Sequence, residues 1–218
     1  MIELIVKVLG SYLLGSVVGS LLIGKLRGVD IRTLGSGNAG ATNMLRTQGK
    51  AAALAVLIID TGKGWLATAV IAPWPWPAAA ALADDEPTGR ALLVAACGLA
   101  VILGHVYPVW HGFRGGKGVA TFVGAVLGIG SYLLLVMVAV WLMMVVLFGF
   151  VGLASMVGVV AVAAAMAVHS APRALLGFGI LAALLILYTH RGNIERMLAG
   201  TESRAQRLWL FGSRRSRR

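Results

Sequence analysis

The chain has 218 residues, of which 59% are hydrophobic and 12% are charged, and its mean hydropathy is +0.88. This composition excludes an ordinary soluble domain and predicts an all-α polytopic membrane protein. The formal net charge is +11. Basic residues beside apolar segments indicate membrane topology and contact with anionic membrane lipid, with no nucleic-acid partner. The single cysteine, Cys97, lies in an apolar run and cannot form an intramolecular disulfide.

Apolar segments predict seven spans. They lie at about residues 2–24, 51–71, 91–110, 117–129, 131–148, 153–169 and 174–189, several of them near or below the ~20 residues that cross a ~30 Å hydrocarbon core. The first segment has no Ala-x-Ala cleavage pattern, so we expect a retained span. The fourth is about half a bilayer thick, which predicts a partial or tilted helix whose N-terminus opens into a protein-lined cavity.

Charge predicts the orientation of these spans. The basic stretch Lys25–Lys50 and the arginine-rich tail are expected on the cytoplasmic side, and the acidic loop Asp84–Glu86 outside. The N-terminus is then outside and the C-terminus cytoplasmic. Residues 1–202 are predicted to form a single transmembrane domain and residues 203–218 a basic cytoplasmic tail. The outer loop Pro73–Pro77 is predicted to be an interfacial aromatic anchor.

Asp60 and Lys63 are ionisable residues inside the second predicted span. Their i, i+3 spacing places them on one helix face. Ionisable groups at membrane depth normally face a bundle interior or a cavity. An internal pair that fixes this helix against its neighbours is the favoured interpretation, and direct catalysis is the alternative.

Three polar motifs interrupt the apolar sequence. The first motif, residues 35–43, reads Gly-Ser-Gly-Asn-Ala-Gly-Ala-Thr-Asn. Gly35, Gly37 and Gly40 free the backbone to present N–H donors. With Arg46 nearby, the pattern predicts an anion site, whereas the loop taken alone is more simply explained as a flexible connection between two spans. Further donors come from the side chains of Ser36, Asn38, Thr42 and Asn43.

The second motif, residues 104–121, contains Gly115-Gly116-Lys117-Gly118 directly before an apolar helix. Backbone N–H groups, a helix N-terminus and an ammonium group can converge there on one phosphate. The motif does not fit a nucleotide-binding Walker A loop, which needs glycine where His111 stands and serine or threonine where Gly118 stands. His105 is predicted to be a packing or hydrogen-bonded histidine near the end of its span.

The third motif, residues 190–202, follows the last span. His190 and Asn193 are three positions apart, so a helix would place both on one face. A histidine can accept a proton near neutral pH, and an asparagine can orient a substrate hydroxyl. Taken alone, His190 is better explained as a residue that caps a helix end.

All three motifs fall on the cytoplasmic side of the topology that charge predicts. Unrelated loops would be scattered over both faces, so this coincidence favours one anion site built from three loops. A transporter or channel for a phosphorylated metabolite is the alternative, but the outer loops carry no comparable polar motif. A substrate with more than one phosphate group, as in lipid biosynthesis, suits the expected cations, which are Arg32, Arg46, Arg114, Lys117 and Arg191.

Together the three motifs, with Asp60-Thr61-Gly62-Lys63-Gly64 in the second span, resemble the acyl-phosphate-dependent glycerol-3-phosphate acyltransferases of bacterial plasma membranes. The resemblance covers nearly the whole chain, to about Glu202. It implies a seven-span enzyme that transfers a fatty acyl group from acyl phosphate to the 1-hydroxyl of glycerol 3-phosphate, giving lysophosphatidic acid and phosphate. It also implies no cofactor, no metal, and no acyl-CoA or acyl-carrier-protein donor.

The resemblance further implies roles for individual residues. The predicted catalytic residues are Ser36, His190 and Asn193. Phosphate and oxyanion contacts are expected from Ser36, Arg46, Lys117 and Asn193, with His190 near the glycerol hydroxyl. The proton acceptor is either His190 or a phosphate oxygen of a substrate. Grooves between the spans are expected to take the acyl chain from the bilayer. The predicted substrate-binding residues are Gly35, Gly37, Asn38, Gly40, Thr42, Asn43, Arg46, Gly115, Gly116, Lys117 and Gly118.

Overall fold

The computed structural model of the protein describes residues 1–75 and 87–212, with side chains after the gap described from residue 89. Within these ranges the chain is helical and contains no strand. The acidic loop Asp84–Glu86, the end of the Pro-Trp loop and residues 213–218 lie outside the described residues. The α-helices are α1 (Ile2–Gly15), α2 (Gly19–Leu26), α3 (Ala41–Gln48), α4 (Lys50–Trp65), α5 (Pro87–Val106), α6 (Val119–Ile129), α7 (Ser131–Phe148), α8 (Val151–Val168), α9 (Arg173–Thr189) and α10 (Arg191–Leu198).

Helices overlap all seven predicted apolar segments. The first segment is a bent pair, α1 with α2 at 43°, and the last segment, α9, continues beyond its predicted end into α10 with a bend of 51°. A third is α6, whose 11 residues rise only about 16 Å, as expected of a partial helix. The number of membrane crossings and the sides of the two termini stay predictions. Helices long and apolar enough to cross a membrane are Lys50–Ile71, Gly89–His111, Ser131–Phe148 and Val151–Val168.

The first predicted span is not one continuous helix. It ends at Gly15 and restarts at Gly19, so the carbonyls of Gly15 and Val17 lose their regular helical partners. Lys63 Nζ, from α4, donates to these two carbonyl oxygens at 2.9 and 2.8 Å. A lysine distant in sequence thus stabilises the break.

Helix α6 runs parallel to α4 but lies beside only its second half. Small residues allow this close approach, because a Cβ at each glycine of the interface would overlap the facing helix. Thr61, at the start of the contact, is 11 residues beyond Lys50, or about 16 Å along α4. The second motif, just before α6, is therefore held midway along α4. The contacts are Gly64 with Thr121, Gly124 with Thr61 and, further along both helices, Gly128 with Thr68.

Two apolar cores hold the bundle together. The larger core involves α5 to α9 and includes the stacked rings of Phe122 and Phe178, whose centroids are 5.9 Å apart. The smaller core joins α2 and α4 to the first motif through the fully buried side chains of Val18, Ala39 and Val56. The first motif is therefore attached to α2 and α4, on the side of the interrupted first span.

A buried lysine also stabilises the far end of the α4 segment, which continues as a π-helix over Leu66–Ile71. Lys7 of α1 is 5% exposed. Its Nζ donates to the carbonyl oxygens of Ala72 and Trp74 at 2.8 and 2.7 Å, and it pairs with Glu3 at 2.5 Å. Lys7 thus satisfies carbonyls just beyond the end of the π-helix.

The first part of the predicted tail contacts the turn between α7 and α8. Ala205 N donates to Gly149 O at 2.8 Å. The Arg204 guanidinium lies over the rings of Phe150 and Trp209, at 4.6 and 4.1 Å from their centroids. These residues are therefore attached to the helical bundle, while the domain division at residue 202 stays a prediction.

Candidate active site

The first motif is a tight loop that leads into α3. Gly35 and Gly37 have positive φ angles of 56° and 70°, which glycine adopts without strain. Asn43, 1% exposed, holds the loop from inside. Its Oδ1 accepts from Ser36 N at 3.0 Å, and its Nδ2 donates to two backbone carbonyls at 3.1 and 2.9 Å. Both amide hydrogens of Asn43 are used within the loop, so this residue shapes the site and offers no further donor to a ligand.

The second motif folds back on the end of α5 before α6 begins. Gly115 N donates to Val106 O at 3.0 Å, and Gly116 N donates to His105 O at 3.1 Å. These two N–H groups, which the sequence predicts to bind phosphate, are therefore used inside the protein. Gly118 has a φ of 88° and is the N-cap of α6. This turn places Lys117 directly before the N-terminus of α6.

The third motif begins at His190, the residue between α9 and α10, and continues through α10 and the turn that follows. Lys117 Nζ donates to Asn193 Oδ1, so the second and third motifs meet. Asn193 Nδ2 donates in turn to Glu202 Oε1 at 2.8 Å. The other oxygen of Glu202 accepts from Arg196 Nε at 2.6 Å. Glu202, whose side chain is 6% exposed, thus fixes the two residues of α10 that lie beside Lys117.

His190 stands between α9 and α10 and is 4% exposed. Its Nδ1 lies 2.8 Å from Ile186 O. Because a carbonyl can only accept, Nδ1 carries the proton and Nε2 of the neutral ring is left as an acceptor. Burial lowers the pKa of His190 to about 4, although the bond to Ile186 O favours the charged form. The ring is therefore neutral at pH 7.

One cavity of about 430 Å³ brings the three motifs together. Its polar end includes most of the predicted site residues, and its other walls are apolar. Gly37 lines an adjacent polar cavity of about 390 Å³, whereas Gly35, Gly115 and Gly116 are absent from the linings of both cavities among the described residues. The predicted residues that line the larger cavity are Ser36, Asn38, Gly40, Thr42, Asn43, Arg46, Lys117, Gly118, His190 and Asn193.

The cations at this cavity differ from those predicted. Arg46, Lys117 and Arg196 line it. Arg32 instead pairs with Asp30 at 2.8 Å, a contact that holds the pKa of the Asp30 carboxyl down at about 2. The other two arginines of the predicted cluster lie elsewhere. In the linings as the structure describes them, Arg191 lines only the adjacent cavity and Arg114 lines neither. The Arg191 guanidinium also stacks on the ring of Tyr188.

Lys117 has an unusual environment for a lysine. Burial, with the nearby cations Arg196 and Arg46, lowers the pKa of Lys117 to about 8, and Glu202 opposes this shift. Its ammonium group is thus mostly charged at pH 7 but poorly compensated. An anion at the cavity would relieve this electrostatic cost.

Sequence reasoning missed two residues of the polar end. Arg196 follows Asn193 by three positions, so the spacing rule that paired His190 with Asn193 would also have found it. Glu202 lies beyond the end of α10 and carries no comparable local signal. Asp60 and His105 also line the cavity, although the sequence favoured internal roles for both.

The chemistry of the cavity can be read from these groups. Among residues 1–75 and 87–212, no group of three or more His, Cys, Asp or Glu side chains is placed to hold a metal ion. The polar end combines cations, amide donors and a neutral histidine with a free ring nitrogen. Such a set can bind an anion, orient a hydroxyl and stabilise a developing oxyanion.

Comparisons with known proteins agree with this chemistry. A family model described as Glycerol-3-phosphate acyltransferase matches residues 5–200. A glycerol-3-phosphate acyltransferase of Gloeobacter violaceus is 43% identical over 88% of this chain and 90% of its own length. Another, of Mesorhizobium japonicum, is 40% identical over 92% and 95%.

Solved structures give the same result. The crystal structure of PlsY (YgiH), an integral membrane glycerol 3-phosphate acyltransferase, in its glycerol 3-phosphate form has a TM-score of 0.81 and 37% identity, covering 92% of this chain and 94% of that one. Its lysophosphatidic acid form has a TM-score of 0.79 and 36% identity. The predicted all-α membrane fold and acyltransferase function are confirmed. The chain belongs to the glycerol-3-phosphate acyltransferase family and is an integral membrane acyltransferase.

Proposed function

We propose that the protein transfers a fatty acyl group from acyl phosphate to the 1-hydroxyl of glycerol 3-phosphate, releasing lysophosphatidic acid and phosphate. The observation that carries this proposal is the division of one cavity into a cationic end and an apolar wall. Arg46, Lys117 and Arg196 line the cationic end, which fits two substrates that each carry a phosphate group. Support also comes from the solved relative, which is described in glycerol 3-phosphate and lysophosphatidic acid forms.

The apolar wall fits an acyl chain that enters from the bilayer. Leu57 of α4 and Val138 and Leu142 of α7 line the cavity, yet they are 45%, 43% and 47% exposed. Side chains that line a cavity and are also exposed mark an opening, here between α4 and α7. In a membrane this opening would face lipid, so a water-insoluble donor can enter sideways while the polar substrate enters from the aqueous face.

The reaction needs no covalent enzyme nucleophile, because acyl phosphate is an activated mixed anhydride. The glycerol hydroxyl oxygen attacks the acyl carbon, and the bond from that carbon to the phosphate oxygen then breaks. Negative charge develops on the carbonyl oxygen and then on the departing phosphate. Lys117, Arg46 and Ser36 are placed at the cavity to stabilise these charges. Asn193, held by Lys117 and Glu202, is a rigid orienting group.

The histidine is better suited to orienting glycerol 3-phosphate than to taking the proton of its 1-hydroxyl. A ring with a pKa of about 4 is a weaker base than a phosphate group, whose second pKa is about 6. The single proton of the 1-hydroxyl passes to a phosphate oxygen of a substrate, and His190 Nε2, which can only accept, orients the glycerol by accepting from its second hydroxyl. This assignment chooses between the two proton acceptors that the sequence left open.

The proposed location is the plasma membrane of a bacterium, with the cavity facing the cytoplasm. The named relatives come from bacteria such as Gloeobacter violaceus and Mesorhizobium japonicum. Basic residues dominate the stretch that contains the first motif and the segment that contains the third, which favours the cytoplasmic side for both.

A turnover assay of the purified protein in detergent tests the proposal. Acyl phosphate with glycerol 3-phosphate should give lysophosphatidic acid and phosphate in equal amounts, whereas acyl-CoA supplied instead should give no acylated product. The Lys117→Ala variant is the matched negative control. Product formed from acyl-CoA at the same rate, or no product from acyl phosphate, would overturn the donor assignment.

A further inference from the structure

The buried residues Asp60, Lys63 and His105 form one polar cluster at the wall of the cavity, which Asp60 and His105 line. They are 1%, 3% and 3% exposed. Lys63 Nζ lies 2.9 Å from Asp60 Oδ1 and 2.9 Å from His105 Nδ1. Because an ammonium group can only donate, Nδ1 of His105 accepts, and the proton of the neutral ring is on Nε2. Charged groups this deep in a helical bundle are costly unless they are paired and have a role.

This cluster stabilises the interrupted first span from both sides of the break. Lys63 donates to the carbonyls of Gly15 and Val17, at the end of α1. Asp60 Oδ1 accepts from Gly19 N, at the start of α2, at 3.1 Å. The ion pair therefore supplies a donor to the carbonyl end of one helix and an acceptor to the amide end of the next. Since Val18 and α2 pack in the smaller core with Ala39, the break also sets where the first motif lies.

The same cluster reaches the second motif through His105. His105 O accepts from Gly116 N at 3.1 Å. A Cβ added to Gly116 would overlap both the His105 ring at Nε2 and the carbonyl oxygen of Ala39. Gly116 is therefore held between the histidine and the first motif. Lys63 is therefore linked to the contact between Ala39 and Gly116 by two sets of interactions. One set involves the start of α2, and the other involves His105.

We propose that Asp60, Lys63 and His105 are positioning residues that set the affinity for glycerol 3-phosphate by holding the first and second motifs in contact. They act through Ala39 and Gly116, on the donors that those motifs present. The pairing also matters electrostatically, because Asp60 lines the cavity. Without Lys63 its carboxylate would face an anionic substrate with no neighbouring cation from its own helix. This inference rests on the proposed substrate.

Two substitutions of His105 separate the possible routes of action. The amide of asparagine reaches the position of Nδ1, whereas that of glutamine reaches the position of Nε2. His105→Asn should keep the acceptor for Lys63 and leave KM for glycerol 3-phosphate within roughly threefold of wild type, while His105→Gln should raise it about tenfold or more. In both variants kcat at saturating substrate should change less than KM.

The chain offers a matched control for Lys63. Lys7 is as deeply buried, also donates to two backbone carbonyls and also pairs with a carboxylate, but it is absent from the described linings of both cavities. Lys63→Met and Lys7→Met should both lower the thermal midpoint. Only Lys63→Met should also raise KM, by about tenfold or more.

The outcomes that overturn the proposal are distinct. Equal KM values for wild type and His105→Gln would show that the cluster stabilises the fold and does not affect substrate affinity. A high KM in His105→Asn with a normal one in His105→Gln would assign a direct substrate contact to Nε2. An equal rise in KM for Lys7→Met would show a general loss of stability. If Lys63→Met does not fold, the two His105 variants decide, because both retain the ion pair.

Calorimetric titration of glycerol 3-phosphate into the same variants keeps this test separate from that of the proposed reaction. Wild type that binds glycerol 3-phosphate but turns over no acyl phosphate would remove the donor assignment. The affinities of the variants would still follow the order predicted for the cluster. The opposite order of affinities in an active enzyme would refute the proposed role of the cluster and leave the proposed reaction intact.

Discussion

The titration of Lys117 is the sharpest test of the proposed phosphate site. With a pKa lowered to about 8 by burial and by Arg196 and Arg46, its ammonium group is about nine-tenths charged at pH 7 and about one-tenth charged at pH 9. Because the charged form is the one that holds a phosphate, kcat/KM should fall as pH rises through about 8. The decline should approach about tenfold for each further pH unit.

Two variants separate the charge from the side chain. Lys117→Ala deletes a charge-assisted donor worth about 1.5–3 kcal/mol, which corresponds to a roughly 10- to 150-fold lower kcat/KM at pH 7. Lys117→Arg keeps a cation whose pKa exceeds about 12, so its profile should lack the decline near pH 8 even where its rate is lower. Arg114→Ala is the control from the same motif, and it should change kcat/KM less than about twofold.

Phosphate release from acyl phosphate, followed from about pH 6 to 10 with protein-free blanks, measures these profiles. A decline near pH 8 that persists in Lys117→Arg would show that another group titrates. Wild-type activity in Lys117→Ala would remove the residue from the site altogether.

Three further predictions follow from the same cavity. His190→Gln should keep the acid limb of the wild-type kcat/KM profile, because the pKa of His190 lies at about 4; a limb near pH 6.5 that vanishes in the variant would make the histidine the base. Glu202→Ala should raise KM for glycerol 3-phosphate more than Glu202→Gln, since glutamine can still accept from Asn193; equal values would contradict this. Gly116→Ala should abolish activity, because the added Cβ would overlap the carbonyl oxygen of Ala39. Gly62→Ala is the control, since its added Cβ has no neighbouring atom within 4 Å, and it should have wild-type turnover.

The helices were predictable because their signals are local. A long apolar run predicts a helix in the membrane, and charged residues beside the run predict where that helix ends. The short α6 was visible in the same way, as the predicted apolar segment 117–129, within which the helix itself covers the 11 residues from Val119. The three polar motifs were likewise readable one by one, and their meeting followed from the predicted topology.

The details of the site depend on contacts between distant residues, which a single sequence does not record. The break after Gly15 depends on Lys63, 48 positions away. Gly115 and Gly116 read as free donors in a glycine-rich loop, yet α5 takes their N–H groups. Asn43 looks like a ligand donor, but its amide serves the loop that contains it. In each case tertiary structure decides which polar groups remain for a substrate.

The limited length of α6 has a consequence for the reaction itself. Its first turn lies beside Thr61–Gly64, so the loop that carries Lys117 is recessed within the bundle, roughly 16 Å along α4 from Lys50. A fatty acyl donor keeps its chain among the lipids, and lifting its carbonyl into water would expose several methylene groups at about 0.8 kcal/mol each. Because α6 is short, the charged site lies within the bundle, close to the depth of the donor's carbonyl group. The acyl chain therefore need not leave the bilayer to react.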